Sequence, residues 1–327
     1  MSTAAIIVTF NGSNWIRPCL TSCLASAEVT EVVVVDNGSD DETCTIVAKE
    51  FPEVTLIRLG KNMGFGYANN IGMAHALTKK PDGIMLVNQD ATLDGRCVKL
   101  LERASAANPE FGLFSPMHLN YAGTGIHRGF LKYLVMSCKS LIDDCMLSKR
   151  QNLYEFSNAP AALWWMPHRV LEKVGGFDPL FFVYCEDADY VNRVLEAGFR
   201  CALIPEAIGR HDDSPSRLSL AKEFELWFSQ QLILLKYSKT LKRDVLRVMK
   251  RVLVCSAQAL TSFDLARLWQ IVKVVFRLYE KRRWLLRSRS LLSNSRDYCF
   301  LPIEPRVAST PVDCSVVASR DVPEDQR

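Results

Sequence analysis

Short apolar runs alternate with segments of helical spacing through the first two hundred residues. The runs predict strands near residues 5–10, 31–35, 55–59 and 84–88. Apolar residues at helical spacing predict helices at 15–26, 41–51 and 67–77, with Ser39, Asp40 and Asp41 as candidate N-caps for the second. This alternation is typical of βαβ units, so the amino-terminal half is predicted to be an α/β domain with a mostly parallel sheet.

Two of these strands end in acidic and small polar residues. Four valines, residues 32–35, run into Asp36, Asn37 and Gly38, and the strand at 84–88 runs into Asp90. A continuous apolar strand is typical of a sheet covered on both faces, and such sheets bind ligands at the carboxyl ends of their strands. Both acids therefore indicate one site at that edge.

The pattern changes after His211. Residues 186–198 still predict a helix with acids at its start and Gly198 at its end. Residues 218–292 lose strand signals and become helical and basic, and the chain from Pro302 onward has no periodicity and is expected to be disordered. We therefore divide the chain into a catalytic-type domain (1–216), a basic amphipathic helical appendage (217–300) and a tail (301–327).

Composition supports a globular protein. The 327 residues are 48% hydrophobic and 23% charged, with a formal net charge of +4. The eleven cysteines form neither a CxxC pair nor a dense framework, which favours a reduced cytoplasm and argues against a zinc cluster. The first residues pass directly into an apolar strand without a basic region, so no signal peptide is expected.

Five motifs appear in an order that resembles family 2 glycosyltransferases with a GT-A fold, closest to their rhamnosyltransferase-like branch. They are Ile-Val-Thr-Phe-Asn-Gly (7–12), Val-Val-Asp-Asn-Gly-Ser-Asp-Asp (34–41), Asn-Met-Gly-Phe-Gly-Tyr-Ala-Asn-Asn (62–70), Asn-Gln-Asp (88–90) and Cys-Glu-Asp (185–187). The resemblance covers residues 4–216. It implies a nucleotide-sugar-binding domain with a mixed, mostly parallel sheet, followed by the helical appendage.

The resemblance also implies which residues bind the nucleotide. Thr9, Asn11 and Asp36 match positions that hold the base and ribose, and the less favoured alternative for Asp36 is a turn cap before Gly38. The remaining nucleotide-site candidates are Asn37, Asn62, Gly64, Phe65, Asn69 and Asn88. The glycines in this set do not form a phosphate-binding fingerprint, so the alternative for residues 62–70 is a tight loop entering a helix.

A divalent cation, Mg²⁺ or Mn²⁺, is expected on the diphosphate. Asn88-Gln89-Asp90 stands where many relatives carry Asp-x-Asp, so one of the two acids is replaced here. A hard cation keeps several waters and needs only one or two protein carboxylates, so Asp90 alone could suffice; otherwise it is a turn residue. His211 matches a position near the metal, with an ordinary surface histidine as the alternative.

Asp187 matches the family's general base, and Glu186 is the second choice. Inverting transfer needs a base that accepts the proton of the attacking hydroxyl. A carboxylate at a helix start is stabilised by the helix dipole, so Asp187 is expected to be ionised at neutral pH. The alternative is that both acids merely begin a helix. Trp164 and Trp165 precede this segment, and they either form an acceptor subsite or are buried in the core.

The expected function is transfer of a sugar from a nucleotide-sugar donor to a glycan or lipid-linked acceptor in cell-surface polysaccharide synthesis, with rhamnose from dTDP-rhamnose as the expected sugar. One rival is a catalytically inactive nucleotide-sugar-binding relative, which the Asn88 substitution favours. A basic nucleic-acid-binding protein is less well supported, because the positive charge is confined to the appendage.

The appendage itself has two interpretations. It is either a helical cap with a solvated basic face, or a peripheral contact with anionic lipid at the inner face of the cell membrane, where residues 281–287 have an interfacial profile.

Overall fold

The strands predicted from the apolar runs are all present in a computed structural model that describes residues 1–213 and 219–293. The strands are β1 (Thr3–Thr9), β2 (Val29–Asp36), β3 (Thr55–Arg58), β4 (Gly83–Asn88), β5 (Ala91–Leu93), β6 (Phe111–Asn120), β7 (Tyr154–Phe156), β8 (Leu163–Pro167) and β9 (Arg200–His211). The four predicted strands lie side by side in the order β3-β2-β1-β4, in a nine-stranded mixed sheet that continues from β4 as β8-β6-β9-β5, with β7 paired to β9.

Most strands run in one direction. β1 to β4 are mutually parallel, β6 pairs parallel with β9, and β5, β7 and β8 pair antiparallel with their neighbours. The predicted α/β class with a mixed, mostly parallel sheet is confirmed.

Helices cover the sheet and then extend beyond it. Those of the first two hundred residues are α1 (Ile16–Leu24), α2 (Thr43–Glu50), α3 (Phe65–Leu77), α4 (Cys97–Ala107), α5 (Arg128–Ser137), α6 (Lys139–Met146), α7 (His168–Val174) and α8 (Glu186–Glu196). The N-cap residue of α2 is Glu42, without a capping side-chain hydrogen bond, so the expected N-caps Ser39, Asp40 and Asp41 are wrong. Asp41 lies one residue further out, where its carboxylate accepts a hydrogen bond from the Thr43 backbone N–H at 3.0 Å.

Each central strand contributes to two cores. In β2, Val33 and Val35 pack on one face of the sheet, and Val32 and Val34 pack on the other. Burial on both faces explains the run of valines, because none of the four valines at 32–35 meets water, although the strand is more exposed at its start.

The predicted helical appendage is present as α9 (Leu220–Lys236), α10 (Leu241–Thr261) and α11 (Leu265–Ser293). A third apolar cluster joins Leu180 and Phe181 of the α/β domain to Phe228, Leu232 and other residues of these helices. Within the described residues, none of the helices combines the length and apolarity needed to cross a bilayer. The expected boundary at 216 and the tail at 301–327 lie outside the described residues.

Candidate active site

The ends of β1, β2 and β4 form one edge, as the sequence predicts. Thr9 is in register with Asp36, and Val8 is in register with both Val35 and Asn88. The carboxyl ends of three neighbouring parallel strands therefore bring Thr9, Asp36 and Asn88 to the same place.

Two loops at this edge are held together by side-chain amides. Asn11 has a left-handed backbone (φ 50°), and its Oδ1 accepts from the Asp40 N–H at 2.9 Å. Gln89 accepts from the Thr9 hydroxyl at 2.6 Å and from the Phe10 N–H at 2.9 Å. Gln89 was not a predicted site residue, and its part in tying β4 to the β1 loop arises from contacts that a single sequence does not display.

Asp36 closes its own turn. Its carboxylate accepts from the backbone N–H groups of Gly38 and Ser39 at 3.2 to 3.3 Å, and the residue is buried. The turn-cap alternative therefore describes a real contact, and a role in ribose binding remains a prediction.

The predicted pocket loop at 62–70 is held in shape by asparagine side chains, two of its own and Asn37 from the end of β2. Asn37 accepts from the Met63 N–H at 2.7 Å and donates to Asn62 Oδ1 at 3.1 Å. Asn69 donates to the Phe65 carbonyl at 3.0 Å. These amides fix the shape of the loop.

The 62–70 loop packs against the segment that precedes the candidate base. The Phe65 N–H donates to the Phe182 carbonyl at 3.1 Å. Gly64 has φ 89°, and a Cβ at that position would lie 2.4 Å from the Phe182 oxygen, so only glycine allows this approach. The 62–70 loop is thereby joined to the segment that leads into the Cys-Glu-Asp motif.

Asp90 and His211 meet, as the resemblance implies. Ala91 and His211 are paired between β5 and β9, which places His211 Nε2 3.1 Å from Asp90 Oδ1. Burial would raise the pKa of Asp90, but the hydrogen bond from His211, the charge of His211 and smaller contributions that include His127 together hold that pKa below its usual value. Asp90 is therefore an ionised carboxylate.

Two further histidines surround this pair. The rings of His127 and His211 lie 4.6 Å apart, and His127 donates from Nε2 to the Asp212 carbonyl at 3.1 Å. His118 is buried and stacks on Phe130 at 4.0 Å. Burial lowers the pKa of His118 well below its usual value and also lowers that of His127, so both rings are neutral at pH 7. Sequence analysis singled out neither residue.

Among residues 1–213 and 219–293, no three His, Cys, Asp or Glu side chains are placed to hold a metal ion. Asp90 and His211 nevertheless lie together, and Asp90 offers an ionised carboxylate. His211 Nε2 donates to Asp90, so it would ligate a cation only in the other tautomer, with the proton on Nδ1, which has no partner among the described residues. One carboxylate and one imidazole nitrogen suit a cation which takes its remaining ligands from phosphate and water.

The Cys-Glu-Asp motif begins α8 with an unusual backbone. Tyr184 and Cys185 both have left-handed conformations, with φ of 65° and 67°. Two successive non-glycine residues in this region store strain, which is common where side chains must be aimed at a site. Glu186 and Asp187 follow as the first two residues of the helix.

The two carboxyl groups of this motif have different environments. Asp187 Oδ1 accepts from the Ala188 N–H at 2.7 Å, and its Oδ2 accepts from the Tyr133 hydroxyl at 3.4 Å. Glu186 is buried, and its Oε2 has no hydrogen-bond partner among the described residues. Burial raises the pKa of Asp187 to about 6. Burial, and then the charge of Asp187, raises the pKa of Glu186 to about 8.

Burial therefore outweighs the helix dipole on which the sequence expectation relied. Asp187 is nevertheless mostly ionised at pH 7, as expected, because its pKa is about 6. Glu186 is mostly protonated at that pH. Two carboxyl groups whose pKa values differ in this way agree with Asp187 as the base, which stays a prediction.

Trp164 and Trp165 are core residues, and the interpretation of the pair as an acceptor subsite is wrong. Trp164 stacks on Phe177, and Trp165 donates from Nε1 to Thr3 Oγ1 at 2.9 Å on the other face of the sheet. Both are fully buried in β8, where alternate side chains enter opposite cores.

Comparison with known proteins agrees with this architecture. The curated relatives include the N-acetylglucosaminyl-diphospho-decaprenol L-rhamnosyltransferase of Mycobacterium tuberculosis, which is 25% identical over 236 residues, covering 64% of this chain and 76% of the relative. They also include the dTDP-rhamnosyl transferase RfbF of Shigella flexneri, which is 27% identical over 215 residues, covering 62% of this chain and 66% of the relative.

Solved structures share the fold. Residues 1–349 of S. aureus TarS in complex with UDP align with a TM-score of 0.51 at 16% identity, over 90% of this chain and 89% of that one. GalNAc-T7 with UDP, GalNAc and Mn²⁺ aligns with a TM-score of 0.53 at 14% identity over 72% of this chain, which spans only 50% of that protein. The sequence profile of glycosyl transferase family 2 matches residues 4–174, just over half of the chain, and the protein is a member of that family.

Proposed function

We propose that this glycosyltransferase moves rhamnose, with inversion, from dTDP-rhamnose to a lipid-linked glycan during synthesis of a cell-surface polysaccharide. The names of the two curated relatives support the sugar, and the M. tuberculosis relative supports a lipid-linked acceptor. The fold and the arrangement of charged groups support a nucleotide-sugar donor.

One helix carries the proposal, because α5 contacts both the Asp90–His211 pair and the candidate base. His127, its N-cap, lies against His211, and Tyr133 donates to Asp187. Six residues of helix separate the two contacts, a rise of about 9 Å. A hexose joined to a diphosphate spans a comparable distance, so the leaving group and the attacking hydroxyl could occupy the two ends.

On the donor side, Thr9, Asn11, Asp36 and Asn88 would hold the base and ribose at the edge of the sheet. The loop built by Asn37, Asn62, Gly64, Phe65 and Asn69 would form the wall of the nucleotide pocket. Its contact with Phe182 fixes the distance between this wall and α8.

Asp90 and His211 would hold Mg²⁺ or Mn²⁺. When bound, such a cation supplies positive charge to the departing diphosphate. The ionised state of Asp90 suits this role, and Asn88 leaves Asp90 as the sole carboxylate of its motif.

On the acceptor side, Asp187 would take the proton of the attacking hydroxyl. The acceptor oxygen forms a bond to the anomeric carbon as the bond to the diphosphate breaks, and the hydroxyl proton passes to the Asp187 carboxylate. Tyr133 orients that carboxylate through Oδ2. Burial raises the pKa of Tyr133, so its hydroxyl stays protonated and remains a donor.

Transfer to a lipid-linked acceptor would occur at the inner face of the cell membrane, where the protein would be peripherally bound.

A binding panel tests the proposal. Calorimetry with UDP, dTDP, GDP and ADP, each with and without Mn²⁺, should show a preference for dTDP and a gain of at least about tenfold from the metal. Asp90→Ala should remove that gain, whereas Asp94→Ala, at an exposed acid four residues on, should keep it. Failure of the folded protein to bind any of the nucleotides would refute the donor site.

Turnover separates the enzyme from a binding-only relative. Wild-type protein with dTDP-rhamnose, Mn²⁺ and a lipid-linked glycan should release dTDP and lengthen the acceptor. Tight nucleotide binding without turnover on any donor and acceptor pair would favour the inactive relative.

A further inference from the structure

The outer face of α10 carries an apolar stripe that is mostly exposed in the described part of the chain. Leu246, Met249, Leu253 and Leu260 recur at spacings of three, four and seven residues and are each 56% to 68% exposed. These spacings place the four side chains on one side of the helix.

A second stripe runs along α11. Leu265, Trp269, Val272, Phe276 and Tyr279 recur at spacings of four, three, four and three, with exposures of 50% to 73%. The turn that joins the two helices carries Phe263, which is 89% exposed. Both stripes therefore begin at the same end of the α10–α11 hairpin, residues 241–293.

These stripes are not the surfaces that hold the hairpin to the protein. The buried apolar residues of the hairpin are Val248 and Ala259 of α10 and Ile271, Val274 and Leu285 of α11. Each helix thus has one apolar face used for folding and a second one facing outward. A monomer rarely exposes so large a contiguous set of aliphatic and aromatic side chains unless they bind something.

Charge indicates what they bind. Residues 241–293 hold thirteen Lys and Arg against three Asp and Glu, whereas the whole chain holds 40 against 36, so the rest of the molecule is net acidic. Lys250, Arg251 and Arg283 are exposed and form no ion pair with a carboxylate of the described residues. The hairpin is therefore a strongly cationic surface with apolar stripes.

Two aromatic residues of the α11 stripe, Trp269 and Tyr279, are paired with cations. The Arg282 guanidinium lies 3.6 Å from the centre of the Tyr279 ring, and the Lys273 ammonium lies 5.4 Å from that of Trp269. Aromatic rings and long basic side chains together suit the boundary of a bilayer, where the rings and methylene stems enter the acyl region and the charges meet phosphate.

We propose that the α10–α11 hairpin is a docking surface for anionic lipid bilayers and lies in the plane of the headgroups. A second copy of the chain is a poorer occupant, because a two-fold interface would oppose two equally cationic surfaces. The inference rests on the proposed function only in its purpose, which is to bring the active site to a lipid-linked acceptor. Adsorption itself requires no turnover.

Vesicle sedimentation of the full chain tests it. Vesicles of phosphatidylglycerol and phosphatidylcholine should bind at least about tenfold more protein than vesicles of phosphatidylcholine alone, and 0.5 M NaCl should abolish most of the difference. Equal binding to the two compositions, or binding that ignores salt, would overturn the proposal.

Paired variants locate the surface. Trp269→Glu/Phe276→Glu should lose most vesicle binding, whereas Met146→Glu/Leu147→Glu, at an equally exposed apolar pair at the end of α6, should retain it. Lys250→Glu/Arg251→Glu should also lose binding, with Lys99→Glu/Arg103→Glu on α4 as its control. Wild-type binding by both hairpin variants would refute the assignment, as would a dimer in light scattering that the Trp269→Glu/Phe276→Glu pair disrupts while vesicle binding persists.

Nucleotide binding keeps this inference separable from the proposed function. Hairpin variants should bind dTDP as wild type does, because the substituted side chains face away from the α/β domain. Loss of vesicle binding with intact nucleotide binding would concern the hairpin alone, and vesicle binding without nucleotide binding would count against the proposed function alone.

Discussion

Two adjacent carboxyl groups at the start of α8 differ because their surroundings differ. Asp187 receives two hydrogen bonds and has a pKa of about 6, whereas Glu186 Oε2 receives none from the described residues and the pKa of Glu186 is about 8. Sequence reasoning found the pair and ranked Asp187 first through the family resemblance. It could not find Tyr133, since that contact joins residues 54 positions apart.

Tyr133→Phe tests the contact with the base. The hydrogen bond favours the charged form of Asp187, so its removal should raise the pKa of that carboxyl. Because Asp187 must be deprotonated to act, the acidic limb of the kcat/KM profile, near pH 6 in wild type, should move to higher pH. A structural role alone would lower activity at every pH without moving the limb. Tyr121→Phe, at an exposed tyrosine, is the control.

At the scale of elements, a buried ion network attaches α9 to α8 and to the segment before it. The Lys236 ammonium lies 2.7 Å from Asp178 and also contacts Asp189, which is held in turn by Arg193 and the Tyr237 hydroxyl. Burial would raise the pKa of Asp189, but Lys236 and Arg193 hold it below its usual value. α8, which carries Asp187, is therefore anchored two residues beyond the candidate base.

Lys236→Met should destabilise the protein by about 3–5 kcal/mol, because it leaves two buried carboxylates without their shared cation. Urea unfolding at pH 7 measures the loss, with Lys239→Met at an exposed position as the control. A second change, Asp178→Asn, should recover part of the lost stability. If the Lys236→Met variant unfolds at the wild-type urea concentration, the network does not anchor the helices.

The elements differ in how far the sequence predicted them. β1 to β4 and α1 to α3 were recognised because each has a regular apolar period and both faces of the sheet are covered. α5 was missed, since glycines at 123, 125 and 129 obscure its start and its contacts come from distant β9 and α8. The sequence does not decide whether the tryptophans of β8 are core residues or an acceptor subsite, because a buried ring and a sugar-stacking ring have the same sequence signature.

At the scale of the molecule, charge is divided between the two parts of the chain. Residues 241–293 hold thirteen Lys and Arg against three Asp and Glu, whereas the rest of the chain is net acidic. The sequence predicted this division and the fold class. It did not predict that the helices would pack on the segment around the candidate base, through Lys236 and through Ser229, whose hydroxyl donates to the Val183 carbonyl at 2.8 Å.

The most direct test of the central claim compares Asp187→Asn with Glu186→Gln in steady-state transfer and in nucleotide binding. Asp187→Asn should lower kcat by about 10²- to 10⁴-fold and leave nucleotide affinity unchanged, because it removes only the proton acceptor. Glu186→Gln should keep most of the activity, since Glu186 is already mostly protonated at pH 7. Substantial turnover by Asp187→Asn, or an equal loss in Glu186→Gln, would contradict the assignment of Asp187 as the base.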